Sequence, residues 1–446
     1  MKLLFFSHYY PPEGNAPASR VHALCRRWVA AGHEVTVVTC APNVPNGVVY
    51  PGYRNAWRNE EQVEGVRVVR CWTYVAANQG TLRRIASYVS YMLSALWQAL
   101  FFPRPDVVLA TSPQFFCGWA GVWAARFHRR PLVLEIRDLW PESIQAVGAF
   151  GGASPDRVQR VLIRALCWLE RRMYRGAERI VTVGEGYKQA LLERGVAPER
   201  IDVVPNGVET ELFQPRAADP ALRAEAGAGE RDFLVAYVGT VGMAHGLDVV
   251  LRAAHIARAR GLDRLRFALV GDGAELETLR AKLHADDPGN VRLLGRRSKF
   301  EMPAWLASAD ACLVHLKATE TFRAVLPSKI FEALAMERPI LLGVRGQAEW
   351  VLRSCGGGLC FEPEDAGALV ECATDLMARA DRGASFGRDG RASVLARYHF
   401  DDLAGRYLQR LAQVAGVAAS FGPDAPGGPD APDGLERESA ARNVAA

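Results

Sequence analysis

The sequence lacks several patterns that mark common classes of protein. Its nine cysteines form no C-x-x-C pair, which argues against a zinc site and a dithiol redox centre. No G-x-G-x-x-G follows the first apolar run, so a nicotinamide-type dinucleotide site lacks its usual support. Lys and Arg are scattered and the formal charge is only +5, which does not indicate a nucleic-acid partner. The small basic excess fits phosphate-bearing ligands or an anionic membrane surface.

The beginning of the chain and its length narrow the class further. Residues 1–7 enter a strand-like run without the small-residue cleavage site of a signal peptide. The cysteines stand mostly among apolar residues, as buried reduced thiols do in cytosolic proteins. A chain of 446 residues exceeds one ordinary core, and apolar runs alternate with helical ones. We therefore expect a cytoplasmic α/β protein with two domains.

The first predicted strand leads into a loop that should border a cleft. The run KLLFFS at residues 2–7 predicts a buried strand, and HYYPPEGNAPASR predicts a loop that enters a helix. Ligands of parallel sheets collect at the carboxyl ends of the strands. The segment from His8 to Arg20, with Gly14 between them, is therefore expected to face the cleft.

A later strand, residues 132–136, runs directly into RDLWPES. Charged and aromatic groups immediately after a strand are well placed for a cleft, so Arg137, Asp138 and Trp140 are candidates. The alternative is structural. Asp138 would then cap a turn before Pro141, and Trp140 would pack against the protein.

A second series of strands and helices begins after residues 215–230, which are rich in Ala, Gly, Pro and charge and which we interpret as a domain boundary. Its first strand, residues 233–238, ends at GTVGMAHGLD. Gly239 and Gly242 would let the backbone approach an anion just before a helix begins. A glycine-rich connector explains this spacing equally well.

The stretch FRAVLPSKIFEALAMERP, residues 322–339, is the candidate reaction centre. Ser328 is suited to cap a helix whose apolar positions recur at helical spacing, and Pro339 ends the pattern. A helix N-terminus with Lys329 in its first turn is suited to bind a phosphate group. The stretch alone fits an ordinary capped core helix equally well.

The most hydrophobic window is IASYVSYMLSALWQALFF, residues 85–102, which carries no formal charge. Arg83, Arg84 and Arg104 flank it. Three interpretations compete: a buried core helix, a helix that lies at a membrane interface, and a membrane span. A span would place the flanking strands on opposite sides of a bilayer, which the strand order disfavours.

Six motifs in a fixed order make one resemblance specific. They are HYYPPEGNAPASRV, EIRDLWPES, VVPNGVETELF, YVGTVGMAHGLD, LVGDGAEL and LPSKIFEALAM. Over nearly all of residues 1–415 the chain resembles the bacterial family 4 retaining glycosyltransferases, in particular the fucosaminyltransferase-like branch that builds O-antigen and exopolysaccharide. The resemblance implies a GT-B fold of two Rossmann-like domains facing a central cleft. Residues 1–215 would hold the acceptor, residues 216–398 the nucleotide sugar, and a helix near 399–415 would cross back to the first domain.

The resemblance also implies roles for single residues of the donor domain. Glu332 corresponds to the family glutamate that accepts hydrogen bonds from the ribose hydroxyls, which suits an acceptor-only carboxylate. Ser328 and Lys329 would hold the diphosphate. No cofactor and no metal are implied, since helix dipoles and basic side chains typically replace the cation in this fold, and the chain has no Asp-x-Asp pair.

Other positions would contact the donor or the acceptor. Gly239, Thr240 and Gly242 would let their loop approach the phosphates or the sugar, and Gly14 would close over the donor from the other domain. Acceptor contacts would come from side chains of the first domain: His8, Arg20, Arg137 and Trp140.

The chain departs from the family pattern at several positions. Ala324 stands where the family commonly carries a glutamate that contacts the donor sugar. The usual Arg and Lys pair after the second domain's first strand is absent, and His245 stands in that loop. Lys329, with Arg297 or Arg323, would then supply the positive charge that leaving-group stabilisation needs. The first domain's usual His is replaced by an Arg-Asp pair at residues 137 and 138.

The expected activity is transfer of a hexose or amino-hexose from a UDP-sugar to a lipid-linked or oligosaccharide acceptor, with retention, and with Asp138 and Lys329 as catalytic candidates. The enzyme would sit on the inner face of the cytoplasmic membrane through residues 83–102. The alternatives are a sugar-nucleotide 2-epimerase and a catalytically silent sugar-nucleotide-binding protein. Residues 418–446 are rich in Pro, Gly, Asp and Ala, which predicts disorder.

Overall fold

A computed structural model describes residues 1–44, 47–76, 81–112, 114–139 and 157–417 of the chain. Trp140 and the C-terminal segment 418–446, both subjects of predictions above, lie outside these residues. The described part contains two sheets, each covered by helices on both faces.

The first sheet has the strand order β3-β4-β2-β1-β5-β6-β7-β8 and is parallel except for β3. Its strands are β1 (Lys2–Phe6), β2 (Glu34–Cys40), β3 (Arg58–Val63), β4 (Val66–Cys71), β5 (Val107–Thr111), β6 (Leu132–Ile136), β7 (Arg179–Thr182) and β8 (Ile201–Val203). The central strands are nearly continuous apolar runs, because helices bury both of their faces.

The run from Val63 to Cys71 does not form a single strand. It holds the end of β3, a turn, and β4. Glu64 and Gly65 form the turn with φ angles of 47° and 80°. The polar sequence RNEEQV makes β3 a half-exposed edge strand, which is typical of the protected edge of a sheet.

Helices cover the two faces of the first sheet unequally. On one face lies α1 (Ala16–Ala30), and on the other lie α2 (Thr81–Ala99), α3 (Phe115–His128), α4 (Arg157–Arg175) and α5 (Glu185–Glu193). Among the described residues, no helix combines the length and the apolar composition that crossing a bilayer requires. Of the three interpretations of residues 85–102, the membrane span, which the strand order already disfavoured, is therefore not supported.

The second sheet is entirely parallel, with the order β11-β10-β9-β12-β13-β14. Its strands are β9 (Phe233–Val238), β10 (Leu265–Val270), β11 (Val291–Gly295), β12 (Ala311–His315), β13 (Ile340–Gly343) and β14 (Gly358–Cys360). Its helices are α6 (Pro220–Glu225), α7 (Asp248–Ala259), α8 (Leu276–Ala285), α9 (Met302–Ser308), α10 (Lys329–Ala335), α11 (Gln347–Cys355), α12 (Ala366–Ala378) and α13 (Ala384–Arg397).

The last helix, α14 (Phe400–Ala415), returns to the first domain and packs on α1. Trp28 donates its indole N–H to the Ala404 carbonyl at 3.0 Å, and its ring meets Tyr407 edge-on at 5.3 Å between centroids. Both rings are almost fully buried. The returning helix thus shares the hydrophobic core of the first domain, as the resemblance implied.

Arg20 occupies a structural position beneath this face of the first sheet. Its Nε lies 3.1 Å from the Glu135 carboxylate, and the two side chains are 2% and 0% exposed. Its other nitrogens donate to the carbonyls of Val204 and Pro205, each at 2.8 Å. This placement contradicts the acceptor-binding role predicted for Arg20, because its guanidinium is buried and held by protein partners.

We expect Arg20→Ala to lower the free energy of unfolding by about 3–5 kcal/mol, because it leaves the Glu135 carboxylate buried without its cation. Urea denaturation measures this loss. Lys2→Ala is the control, since it removes only an exposed ion pair with Glu34 and should cost at most about 1 kcal/mol. Wild-type stability combined with a raised acceptor KM in Arg20→Ala would restore the acceptor role.

Candidate functional site

Residues from both domains meet where the carboxyl ends of the two sheets face each other. The Gly186 N–H, at the start of α5, donates to Gln347 Oε1 at the start of α11, at 3.0 Å. Arg296 donates to the Tyr50 hydroxyl at 3.1 Å. Loops that follow parallel strands converge at such an edge, so a ligand held here can contact both domains.

Lys329 lies across the backbone of Gly239. Gly239 has a φ of 138°, and a Cβ added there would lie 2.2 Å from Lys329 Cε. Lys329 Nζ lies over the Tyr237 ring, 4.8 Å from its centroid. The backbone conformation therefore favours glycine at position 239, and the structure brings these two predicted residues into contact.

The electrostatics of α10 centre on Lys329 and Glu332. Burial lowers the pKa of Lys329 to about 8, and the nearby Glu332 carboxylate opposes this shift. Burial raises the pKa of Glu332, while Lys329 and Lys299 oppose the rise. Ser328 stands at the N-cap position of α10, as predicted, but it has helical backbone angles and makes no side-chain capping bond. Its hydroxyl instead hydrogen-bonds to Glu332 and favours the ionised carboxylate.

The loop after β9 places Thr240, Gly242 and His245 beside Lys329. The Tyr237 hydroxyl donates to the Thr240 carbonyl at 2.5 Å, and the Gly242 N–H lies 3.3 Å from His245 Nδ1. Burial, followed by the charge of Lys329, lowers the pKa of His245 to about 3. His245 is therefore a neutral ring at neutral pH, and Lys329 is the cation of this loop cluster.

The loop after β11 presents a different cation from the one predicted. Arg297 pairs with Glu225 and lies over the Trp305 ring at 5.7 Å, on the second domain itself. Lys299 instead reaches Glu209, with 2.8 Å between Nζ and Oε1, and acts on the Glu332 carboxylate. Basic residues stand at positions 296, 297 and 299, and no sequence signal distinguishes which one faces the site.

On the first domain, Arg137 and Asp138 follow β6 as predicted. Both of their backbone N–H groups lie within 3.3 Å of the Ser112 hydroxyl, which fixes the turn. Burial raises the pKa of Asp138 to about 6, against the effect of Arg137. Tyr187, which the sequence did not single out, adjoins both charges, and burial raises the pKa of its phenol.

His8 and Gly14 have contrasting surroundings. His8 is 4% exposed, and its ring meets Tyr88 and Tyr91 edge-on at 5.4 and 4.8 Å. Burial lowers its pKa to about 3, so the ring is neutral. Gly14 is exposed before α1, and nothing lies within 4 Å of an added Cβ. Their predicted ligand contacts stay predictions.

Ala324, which replaces an expected glutamate, contacts the other domain. A Cβ added at Gly186 would lie 2.7 Å from the Ala324 Cα and 2.8 Å from its Cβ. The position therefore belongs to the contact between the two domains. Sequence spacing could mark the missing glutamate but could not reveal this packing.

Residues 15–207 match the model of the glycosyl transferase 4-like domain, and residues 232–379 match that of the glycosyl transferases group 1 domain. The chain is a two-domain glycosyltransferase. It is 28% identical over 389 residues to WcaI of Escherichia coli strain K12, named for colanic acid biosynthesis, and the match covers 83% of this chain and 90% of WcaI. It is 27% identical to WbjE of Pseudomonas aeruginosa, named as a glycosyltransferase, over 55% of this chain and 59% of WbjE.

Solved structures share the fold. Anabaena HepE, in complex with UDP and glucose, aligns with a TM-score of 0.66 and 17% identity over 92% of this chain and 99% of HepE. Sucrose-phosphate synthase from Thermosynechococcus elongatus aligns with a TM-score of 0.66 and 16% identity over 92% of this chain and 98% of the synthase. The predicted GT-B fold of this glycosyltransferase is confirmed.

We expect Lys299→Ala to raise the KM for the donor roughly tenfold, because Glu332 loses a neighbouring cation and its ionised form becomes less favourable. Arg297→Ala is the matched control in the same loop and should leave the KM near the wild-type value. Steady-state kinetics with varied nucleotide sugar measure both. The reverse ranking of the two variants would reinstate Arg297 as the donor-side cation.

Proposed function

We propose that this glycosyltransferase moves a hexose or amino-hexose from a UDP-sugar to a lipid-linked glycan acceptor during cell-surface polysaccharide synthesis, with retention of configuration. The observation that carries the proposal is the Lys329 side chain held against the Gly239 backbone, with the Glu332 carboxylate one turn away. A cation beside open backbone suits a diphosphate, and a partly buried carboxylate suits ribose hydroxyls.

Two comparisons support the proposed donor and the proposed product. HepE was solved with UDP and glucose, which fits a UDP-linked donor in the same fold. WcaI is named for colanic acid biosynthesis, which fits a surface polysaccharide as the product. We propose further that the chain belongs to the fucosaminyltransferase-like branch, that it needs no metal ion, and that it works on the inner face of the cytoplasmic membrane. The relatives named above are called glycosyltransferases, and they lend no support to the epimerase or the silent binding protein.

The proposed reaction exchanges one glycosidic bond for another. The bond between the anomeric carbon and the UDP oxygen breaks, and the acceptor hydroxyl oxygen bonds to that carbon on the same face. The acceptor proton passes to a phosphate oxygen of the departing UDP. Lys329 stabilises the negative charge that develops on the diphosphate. Asp138, with a pKa of about 6, is mostly ionised at neutral pH and can orient the acceptor hydroxyl.

Turnover assays with purified protein test the function. UDP- and GDP-sugars are supplied with and without a lipid-linked oligosaccharide extract, and nucleotide release is measured. We expect UDP release that depends on the acceptor, and Lys329→Ala and Glu332→Ala should each lose about 100-fold or more of it, as expected for removing charge stabilisation. Full activity in both folded variants would refute this site, and sugar isomerisation without acceptor would indicate an epimerase.

The pKa of Lys329 predicts a pH dependence of UDP binding. Below about pH 8 the amine is a cation, and above that value the free enzyme loses this charge. UDP affinity should therefore fall about tenfold between pH 7 and pH 9, because binding must then restore the proton. Isothermal titration calorimetry at both pH values measures this change. Lys329→Arg, which stays charged, should bind UDP with little change over the same range.

A further inference from the structure

Helix α2 exposes large apolar side chains on its outer face, while its buried face holds polar groups beside core residues such as Tyr91 and Ala95. Gln98 is 2% exposed and donates to the Trp57 carbonyl at 3.0 Å. On the opposite face, Leu93 and Trp97 are 59% and 51% exposed, and Phe101, just after the end of α2, is 62% exposed. A helix that covers a globular core normally carries polar side chains on its outer face, so the outer face of α2 suits an apolar environment.

Helix α3 extends this surface because it runs parallel to α2. The Gln114 amide, just before α3, donates to the Tyr88 carbonyl at 3.2 Å, and His128 Nε2 lies 2.8 Å from the Ala99 carbonyl. The two helices are therefore adjacent from end to end. Their large exposed apolar side chains form one surface, the α2–α3 face: Ile85, Leu93, Trp97, Phe101, Trp123 and Phe127.

The charge on the segment that forms the α2–α3 face is almost entirely positive. Between residues 81 and 130 the only acidic residue is Asp106, which accepts the Lys2 backbone N–H at 2.7 Å. Exposed arginines surround the apolar groups on α2, on α3 and on the neighbouring α4, where Trp168 is also exposed. They are Arg83, Arg104, Arg126, Arg129, Arg160, Arg164, Arg171, Arg172 and Arg175.

We propose that the α2–α3 face docks on the surface of an anionic phospholipid bilayer. Trp and Phe side chains with surrounding arginines suit the boundary between headgroups and acyl chains, where the cations meet lipid phosphates. A second copy of the chain fits less well, because two faces of the same charge would oppose each other. Helix α2 would lie along the bilayer over about 28 Å, the length of its 19 residues.

Docking on this face would bring the bilayer to the acceptor side of the cleft. Ser112, which holds the turn at Arg137 and Asp138, lies three residues before α3 begins. The cleft end of the α2–α3 face is therefore next to the candidate acceptor residues. This inference rests on the proposed function for its lipid-linked acceptor, but docking itself requires no substrate.

Flotation of the full chain with vesicles tests the inference. One set of vesicles is phosphatidylcholine alone, and the other contains about one third phosphatidylglycerol, an anionic lipid. We expect binding to the anionic vesicles that weakens with salt. The double variant Trp97→Ser, Phe101→Ser should reduce binding about tenfold or more. Trp350→Ser, which changes an exposed tryptophan on α11 of the second domain, is the matched control and should bind like wild type.

Several outcomes would overturn the proposal. The first is that the wild type does not float with anionic vesicles, and the second is that the double variant binds them as well as the wild type does. The third is binding only to native membranes that contain proteins, which would indicate a protein partner. A wild-type dimer in sedimentation that dissociates in the double variant would indicate a second copy on this face. UDP affinity is measured on the same samples. Vesicle binding without UDP binding would refute the proposed function and leave the docking face standing, and the converse result would refute only docking.

Discussion

The donor half of the cleft depends on the contact between the Lys329 stem and the bare backbone of Gly239. Strands β9 and β12 are neighbours, so the loops that follow them lie side by side. The loop after β10 joins them, since a Cβ added at Gly271 would lie 1.7 Å from the Gly239 carbonyl oxygen. Side chains at these glycines would separate the loops and displace the lysine. This close packing holds an ammonium group in surroundings that lower its pKa to about 8.

A chain of alternating charges links this site to the first domain. Arg26 on α1 lies 3.3 Å from Glu209, Glu209 pairs with Lys299, and Lys299 acts on Glu332. Burial alone would raise the pKa of Glu209, but Lys299 and Arg26 hold it below its usual value. Each charge in the chain stabilises its neighbours. The arrangement of the two domains and the ionisation of the donor-site carboxylate are therefore coupled electrostatically.

The sequence was sufficient to predict the features that depend on local pattern, such as the strands and the loops that follow them. Apolar runs predicted most strands, and the parallel topology then placed the loops with Gly239 and Lys329 together. Features that depend on side-chain direction were not accessible. Nothing in the sequence near Arg20 indicates an ion pair, because its partner Glu135 lies 115 positions away. Which of Arg297 and Lys299 faces the site depends on the conformation of the loop after β11, and the sequence does not determine that conformation.

The contact at Ala324 also bears on the chemistry. Small residues at positions 186 and 324 let α5 approach the second domain, at the place where a carboxylate was expected and Ala324 stands instead. In the proposed reaction, charge stabilisation therefore falls mainly on Lys329. As UDP departs, its growing negative charge favours the protonated amine and raises the pKa of Lys329 again. The same burial that lowers the pKa of Lys329 also weakens the screening of charges around it. The attraction between the ammonium group and the departing diphosphate is therefore stronger than it would be in water.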